Sequence, residues 1–203
     1  MTSRKSTLVI ACGAIAHELV AVQKLNQLTH IEIQCLPAHW HNTPERIAPG
    51  VEEKIKLAGN AYARILVAYG DCGTGGLLDK VLENYSVERL PGDHCYSFFA
   101  GSSVFETMAT DELGTFYLTD YLVDNFDRLI ADGLGISAHP ELIDQYFSHY
   151  TRVMYLVQDQ QAKQSRLNKA QSAAAVLGLP LEVYETGLQP FANSLRTIQI
   201  ASV

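Results

Sequence analysis

The sequence predicts an α/β fold: a parallel sheet flanked by helices, Rossmann-like, with two similar α/β halves packed together. Short runs rich in Val, Ile and Leu alternate with stretches of helical periodicity. The runs are continuously apolar, as expected of strands buried on both faces. No hairpin turn joins successive runs, so the strands are connected by helical crossovers. No linker interrupts the pattern, and we read residues 1–203 as a single unit whose halves are 1–112 and 113–203.

Residues 8–11 form the first strand, followed by a Cys12-Gly13 turn and a helix with Ile15, Leu19 and Val22 on one face. Residues 31–36 form the second, followed by a loop over 37–44 and a helix around 51–57 ending near Gly59. The third strand, 65–69, runs into the turn 70–76 and a helix with Leu77, Leu78, Val81 and Leu82 inward. A short strand at 87–90 leads to Pro91-Gly92-Asp93-His94-Cys95-Tyr96 and a helix within 98–108. The second half repeats the scheme: strand 116–119, helix 121–131 stopped by Gly133, and a helix opened by Pro140 that carries Leu142, Ile143, Tyr146 and Phe147. Strand 153–157, helix 162–177 closed by Gly178, and strand 181–184 complete it.

Composition narrows the function. A net charge of −7 and a pI near 5.4, with no clustered Lys/Arg face, disfavour a nucleic-acid partner. Apolar runs such as 65–69 are far shorter than the ~20 residues that cross a bilayer. Arg4 and Lys5 before Leu8-Val9-Ile10-Ala11-Cys12 imitate a lipoprotein signal, but the apolar stretch is too short and continues beyond Cys12. The expected location is the cytoplasm. Thiols are kept reduced there, so Cys12, Cys35, Cys72 and Cys95 are core residues, ligands or nucleophiles rather than a disulfide framework.

Cys12 and Cys72 occupy equivalent places, each past a strand end, beside a glycine and before a helix. Ligands collect at the carboxyl ends of such strands. A helix N-terminus favours thiolate, the form that binds metal or attacks carbon. Against this stands burial as small apolar residues, a reading we keep for Cys35. Cys95 joins the candidates because it follows a Pro-Gly turn beside His94. Three cysteines with His94 or His41 would make a zinc site or hold an iron–sulfur cluster, although no C-x-x-C pair is present.

Gly73-Thr74-Gly75-Gly76 offers backbone N–H groups to a phosphate or carboxylate, or forms a tight turn for packing. It is neither a Walker loop nor a dinucleotide fingerprint. Asp71 is an acid, a base or a helix cap. Asp120 and Asp159, beyond two further strands, line the cleft or cap helices. No G-x-S-x-G nucleophile elbow occurs.

The chain resembles the uncharacterised bacterial and archaeal family known as domain of unknown function 1638. The resemblance rests on Ile10-Ala11-Cys12-Gly13-Ala14-Ile15, on His41-Asn42 with Pro44-Glu45, on residues 71–76, on Gly92 with His94-Cys95-Tyr96, and on Phe116-Tyr117-Leu118-Thr119-Asp120. It implies a setting in one-carbon metabolism beside corrinoid-dependent methyltransferases.

These readings combine into an expected metal-dependent cytoplasmic enzyme of small-molecule metabolism, in methyl-group transfer. Cys12, Cys72 and Cys95 are the expected ligands of zinc or an iron–sulfur cluster, and Asp71 and His94 the expected acid–base groups. Gly73, Thr74, Gly75, Gly76, His41, Tyr96 and Asp120 are expected to hold a small acidic substrate. Two alternatives stand beside it: a non-catalytic accessory protein for a corrinoid methyltransferase partner, and a metal-free enzyme with Cys72 as nucleophile and His94 as base.

Overall fold

The computed structural model describes residues 5–200, so Arg4 of the signal-like segment lies outside the described residues. The chain divides into two compact units, residues 1–95 with 192–203 and residues 96–191. The architecture is α/β in both, each with its own parallel sheet.

In the first unit, β1 (Lys5–Cys12) leads through a 3-10 turn, Gly13–Ile15, to α1 (Ala16–Leu25). There follow β2 (Ile31–Leu36), two 3-10 turns at Ala38–Asn42 and Pro44–Arg46, and α2 (Ile47–Ala58). β3 (Tyr62–Ala68), α3 (Leu77–Glu83) and the two-residue β4 (Glu88–Arg89) complete it up to Cys95. The strand order is β2-β1-β3-β4, with every pair parallel. The chain steps from β1 outward to β2, then crosses back to β3 on the other side of β1. Such a reversal opens a crevice at the carboxyl ends of the two central strands. β1 and β3 are in register up to Ala11 and Ala68, so Cys12 and the chain beyond Tyr69 emerge side by side.

Burial follows the expected pattern at Leu8, Ile10, Ile15, Leu19, Val22, Val51 and Leu78, and two expectations are corrected. Leu77, the first residue of α3, is 50% exposed, because only Leu78 and Leu82 of that helix turn to the core. Cys35 is exposed rather than a core residue, since β2 is an edge strand and this position points outward.

The second unit begins with α4 (Tyr96–Ala100) and α5 (Ser102–Asp111). The single helix expected within 98–108 is broken at Gly101, whose φ of +84° no helix accommodates. β5 (Thr115–Leu118), α6 (Asp120–Asp124) and a π-helical turn at Asp127–Ala131 follow, so the expected helix 121–131 is split. α7 (Leu142–Phe147), β6 (Arg152–Val157), α8 (Lys163–Leu177) and β7 (Leu181–Glu185) complete the sheet β5-β6-β7. Phe147 is buried in the core and Tyr146 faces outward. Gly178, at φ +68°, stops α8 as its sequence predicts. A last helix, α9 (Gln189–Ile200), has no counterpart in the sequence reading. Its signal is Pro190 in the first turn followed by Phe191 and Ala192, both buried.

A candidate thiol site at the ends of β1 and β3

Cys12 is the last residue of β1 rather than a residue past it. It caps only the short 3-10 turn, with the Ala14 N–H donating to its Sγ at 3.4 Å. Gly13 lets the chain after β2 come close, for a Cβ there would stand 3.0 Å from the Leu36 carbonyl oxygen.

Cys72 is held differently. It lies in the turn after β3 with a φ of +49°, a left-handed conformation that a side chain resists. Two backbone hydrogen bonds hold it there: Asp71 N–H to the Gly92 carbonyl at 3.1 Å and Cys72 N–H to the Asp93 carbonyl at 2.7 Å. The following glycine turn is organised around the Asp71 carboxylate. Thr74 Oγ1–H donates to Oδ1 at 2.6 Å, Gly76 N–H to Oδ1 at 2.8 Å and Gly75 N–H to Oδ2 at 3.0 Å. The anion these glycine N–H groups hold is therefore the chain's own. Desolvation opposes ionisation of Asp71, but the three hydrogen bonds prevail and keep its carboxyl below the usual range.

Cys95 reaches Cys72 because Gly70 has no side chain. A Cβ at Gly70 would lie 2.9 Å from the His94 nitrogen, closer than side chains approach backbone, and 3.0 Å from the Asp93 carbonyl carbon. Arg89 fixes the loop from the other end. Its Nε and Nη2 bind both carboxylate oxygens of Asp79, at 2.5 and 2.9 Å. Its Nη1 donates to the carbonyls of Leu90 and Gly92, at 3.0 and 2.9 Å. A third loop brings His41. Its neighbour Trp40 packs against α2, where any Cβ at Gly50 would meet the indole at 2.3 Å, and the Arg46 guanidinium sits 5.4 Å from the ring centroid.

The two strand-end thiols have opposite electrostatics. Burial pushes the Cys12 thiol up to about 11, against the Ala14 hydrogen bond and helped by the charge of Cys72. The expectation that a strand-end turn makes Cys12 a thiolate is thus corrected: a 3-10 turn of one coil supplies too little dipole to offset desolvation. Cys72 is drawn down to about 4, first by the Cys95 thiol, which donates to it, then by a hydrogen bond from His41 and the charges of His41 and His94, against its own desolvation. Cys95, as the donor to that sulfur, is pushed up and keeps its proton. Tyr69, one residue beyond β3, is buried with its hydroxyl beside Cys12 and close to Cys72; burial raises it, so it stays a neutral phenol. Among the described residues, no hydrogen-bond partner of good geometry satisfies that hydroxyl.

Cys12, Cys72, Cys95, His41, His94 and Asp71 thus belong to one neighbourhood in the first unit. Tyr96 and Asp120 belong to the second unit. The Tyr96 ring stacks on Tyr117 at 5.3 Å and packs near Phe105 at 6.2 Å. The Asp120 carboxylate is 3% exposed at the residue level and accepts from Tyr155 Oη at 2.7 Å, the Gln158 and Asp159 N–H groups at 3.3 and 2.8 Å, and Arg166 Nη1 at 3.1 Å. Those donors fill its lone-pair positions and tie β5 to the ends of β6 and α8. Asp159 also accepts from Arg166, at 3.3 Å.

Among the described residues, no three His, Cys, Asp or Glu side chains are arranged as a group that could hold a metal ion. Sequence reasoning missed Gly70, Arg89 and Tyr69 as parts of the site. Gly70 and Tyr69 lie directly before the Asp71-Cys72 pair, and Arg89 lies just before the Pro-Gly turn. An aromatic residue, a glycine and a cation at those places were the only signals.

No curated protein and no solved structure matches the chain. The profile of the family described as Protein of unknown function (DUF1638) matches residues 35–195, a span that contains Cys72, His94, Cys95 and Asp120. The chain that builds this thiol site belongs to the DUF1638 family.

Proposed function

We propose that the protein is a cytoplasmic enzyme of small-molecule metabolism whose reactive group is the Cys72 thiolate. One observation carries this reading: a cysteine held in a left-handed turn meets a thiol donor and a histidine from the 92–95 loop and a second histidine from the loop after β2, which together favour its ionised form. A thiolate of this kind attacks electrophilic carbon or sulfur without a preceding deprotonation. His94 and His41 stand beside it and favour its charged form, and Cys95–SH donates to it. Asp71 acts as a positioning residue, because its carboxylate shapes the turn that aims Cys72. The test is an electrophile panel of small thioesters, α-halo acids and disulfides, read by peptide mass spectrometry on metal-free protein. Adducts should form at Cys72 first and vanish in Cys72→Ser. Equal labelling of Cys12 and Cys72 would contradict the reading.

A second reading is favoured by the mutual electrostatic reach of Cys12, Cys72 and Cys95. In it the three thiols, with a histidine, take zinc or an iron–sulfur cluster after drawing closer together, and the bound metal keeps an acceptor thiol deprotonated for methyl transfer. The partner would then be a corrinoid methyltransferase. Metal analysis of anaerobically purified protein separates the two readings: near-stoichiometric zinc or iron, lost in Cys72→Ser, selects the second. A non-catalytic accessory role requires partner capture that Cys12→Ala and Cys95→Ala leave unchanged.

A further inference from the structure

Beyond a single reactive thiolate, the first unit brings two sulfurs from different loops together. The Cys95 side chain acts directly on the Cys72 sulfur, and the loop that carries it is joined to the Cys72 turn by the 2.7 Å bond from the Cys72 N–H to the Asp93 carbonyl. The approach is built into the fold rather than incidental, since the side-chain-free Gly70 and the Arg89 clamp on Gly92 both serve it. Cys12 is engaged elsewhere, by Ala14, and Cys35 is exposed on the edge strand. Taken as whole residues, Cys72 is buried and Cys95 half-buried.

We infer that Cys72 and Cys95 are a two-electron dithiol–disulfide couple that exchanges with small disulfides. The inference shares with the proposed function the reading that Cys72 is the reactive sulfur, and it stands on the close backbone approach of the 92–95 loop to the Cys72 turn. In the first step the Cys72 sulfur attacks a disulfide RSSR, forming the mixed disulfide Cys72–S–SR and expelling RS⁻. In the second the Cys95 thiol gives its proton to that RS⁻, and its sulfur attacks the Cys72 sulfur. A second RS⁻ leaves as the Cys72–Cys95 bond forms. The two cysteines lose two electrons, and the disulfide becomes two thiols. A dithiol substrate or reductant reverses both steps.

The experiment uses the full chain, reduced and desalted, then exposed to hydroxyethyl disulfide, quenched with an alkylating agent and digested without reduction. The expected result is a Cys72–Cys95 linked peptide, reopened by dithiothreitol. Cys95→Ser should instead accumulate the mixed disulfide on Cys72, and Cys12→Ser should leave the link unchanged. A stable mixed disulfide on Cys72 in the unaltered chain, or a link from Cys72 to Cys12, would overturn the couple while leaving the thiolate reading intact. No reaction at Cys72 at all, in protein whose circular dichroism shows it folded, would defeat both.

Discussion

Cys12 ends β1 and Cys72 lies just beyond the neighbouring parallel β3, each precedes a glycine, and they are about equally hidden, at 7% and 5% exposure. One nevertheless holds its proton up to about 11 and the other loses it near 4. Burial is therefore not what separates them; the partners are. Cys12 receives a backbone N–H and the phenol of Tyr69, whereas Cys72 receives a thiol and an imidazole and faces a second imidazole. Matching positions in two β-turn-α units fix where a side chain emerges, and the loops crossing over it decide its chemistry.

The largest expected effect comes from breaking the approach that distinguishes the two turns. Gly70→Ala places a Cβ against the backbone of Asp93 and His94, which costs about 1–3 kcal/mol in denaturant titration, and it should raise the Cys72 pKa by moving Cys95 and His94 away. Gly13→Ala, facing the Leu36 carbonyl in the Cys12 turn, should leave the Cys72 profile where it is. An unchanged Cys72 profile in Gly70→Ala would show that the 92–95 loop does not set it.

Selectivity between the thiols sharpens the comparison. With pKa values of about 11 and 4, only ~10⁻⁴ of Cys12 is thiolate at pH 7, while Cys72 is fully ionised. The lower intrinsic nucleophilicity of the more acidic thiolate offsets about three decades, leaving Cys72 roughly tenfold faster. Lowering the pH to 5 removes Cys12 thiolate and barely touches Cys72, so the ratio should climb to several hundred before Cys72 protonates. Peptide-resolved alkylation measures this, with exposed Cys35 read separately.

Much of this was legible beforehand. Continuous apolar runs fixed the strands, and β1, β3, β5 and β6 fall where they predict, because a buried parallel strand leaves an unambiguous pattern. Cys12, Cys72, Cys95, His41 and His94 were all recognisable as candidates from their turns. Their charge states were not, because a pKa depends on which loops cross over a sulfur, and that is tertiary. For the same reason Asp71 read equally well as a base, an acid or a cap until its partners, Thr74, Gly75 and Gly76, were in place. The expected role of residues 73–76 in holding a substrate anion met the same ambiguity, since free N–H groups and N–H groups held by Asp71 share one sequence.

Smaller effects follow from the charges between the two thiols. His41→Ala and His94→Ala should each raise the Cys72 pKa, by removing a hydrogen bond with its charge and a charge, respectively. Cys72→Ser should lower the Cys12 pKa, because the thiolate helps to hold that proton on. Both shifts are read from alkylation rate against pH. The smallest effect is expected of Asp71→Ala, about 1.5 kcal/mol, since the turn it organises is partly exposed. Stability carries the same signature: Cys72 is depressed from 9.0, so its contribution is full above about pH 9 and fades as the pH falls towards 4.

The central claim, that the loops over β3 make Cys72 a thiolate while its counterpart on β1 stays a thiol, is tested most directly by the pH dependence of Cys72 alkylation in reduced, metal-free protein. The account predicts a rate that is flat through neutrality and falls by half near pH 4. A rate that rises through neutrality with a midpoint near the ordinary thiol value of about 8.5 would contradict it.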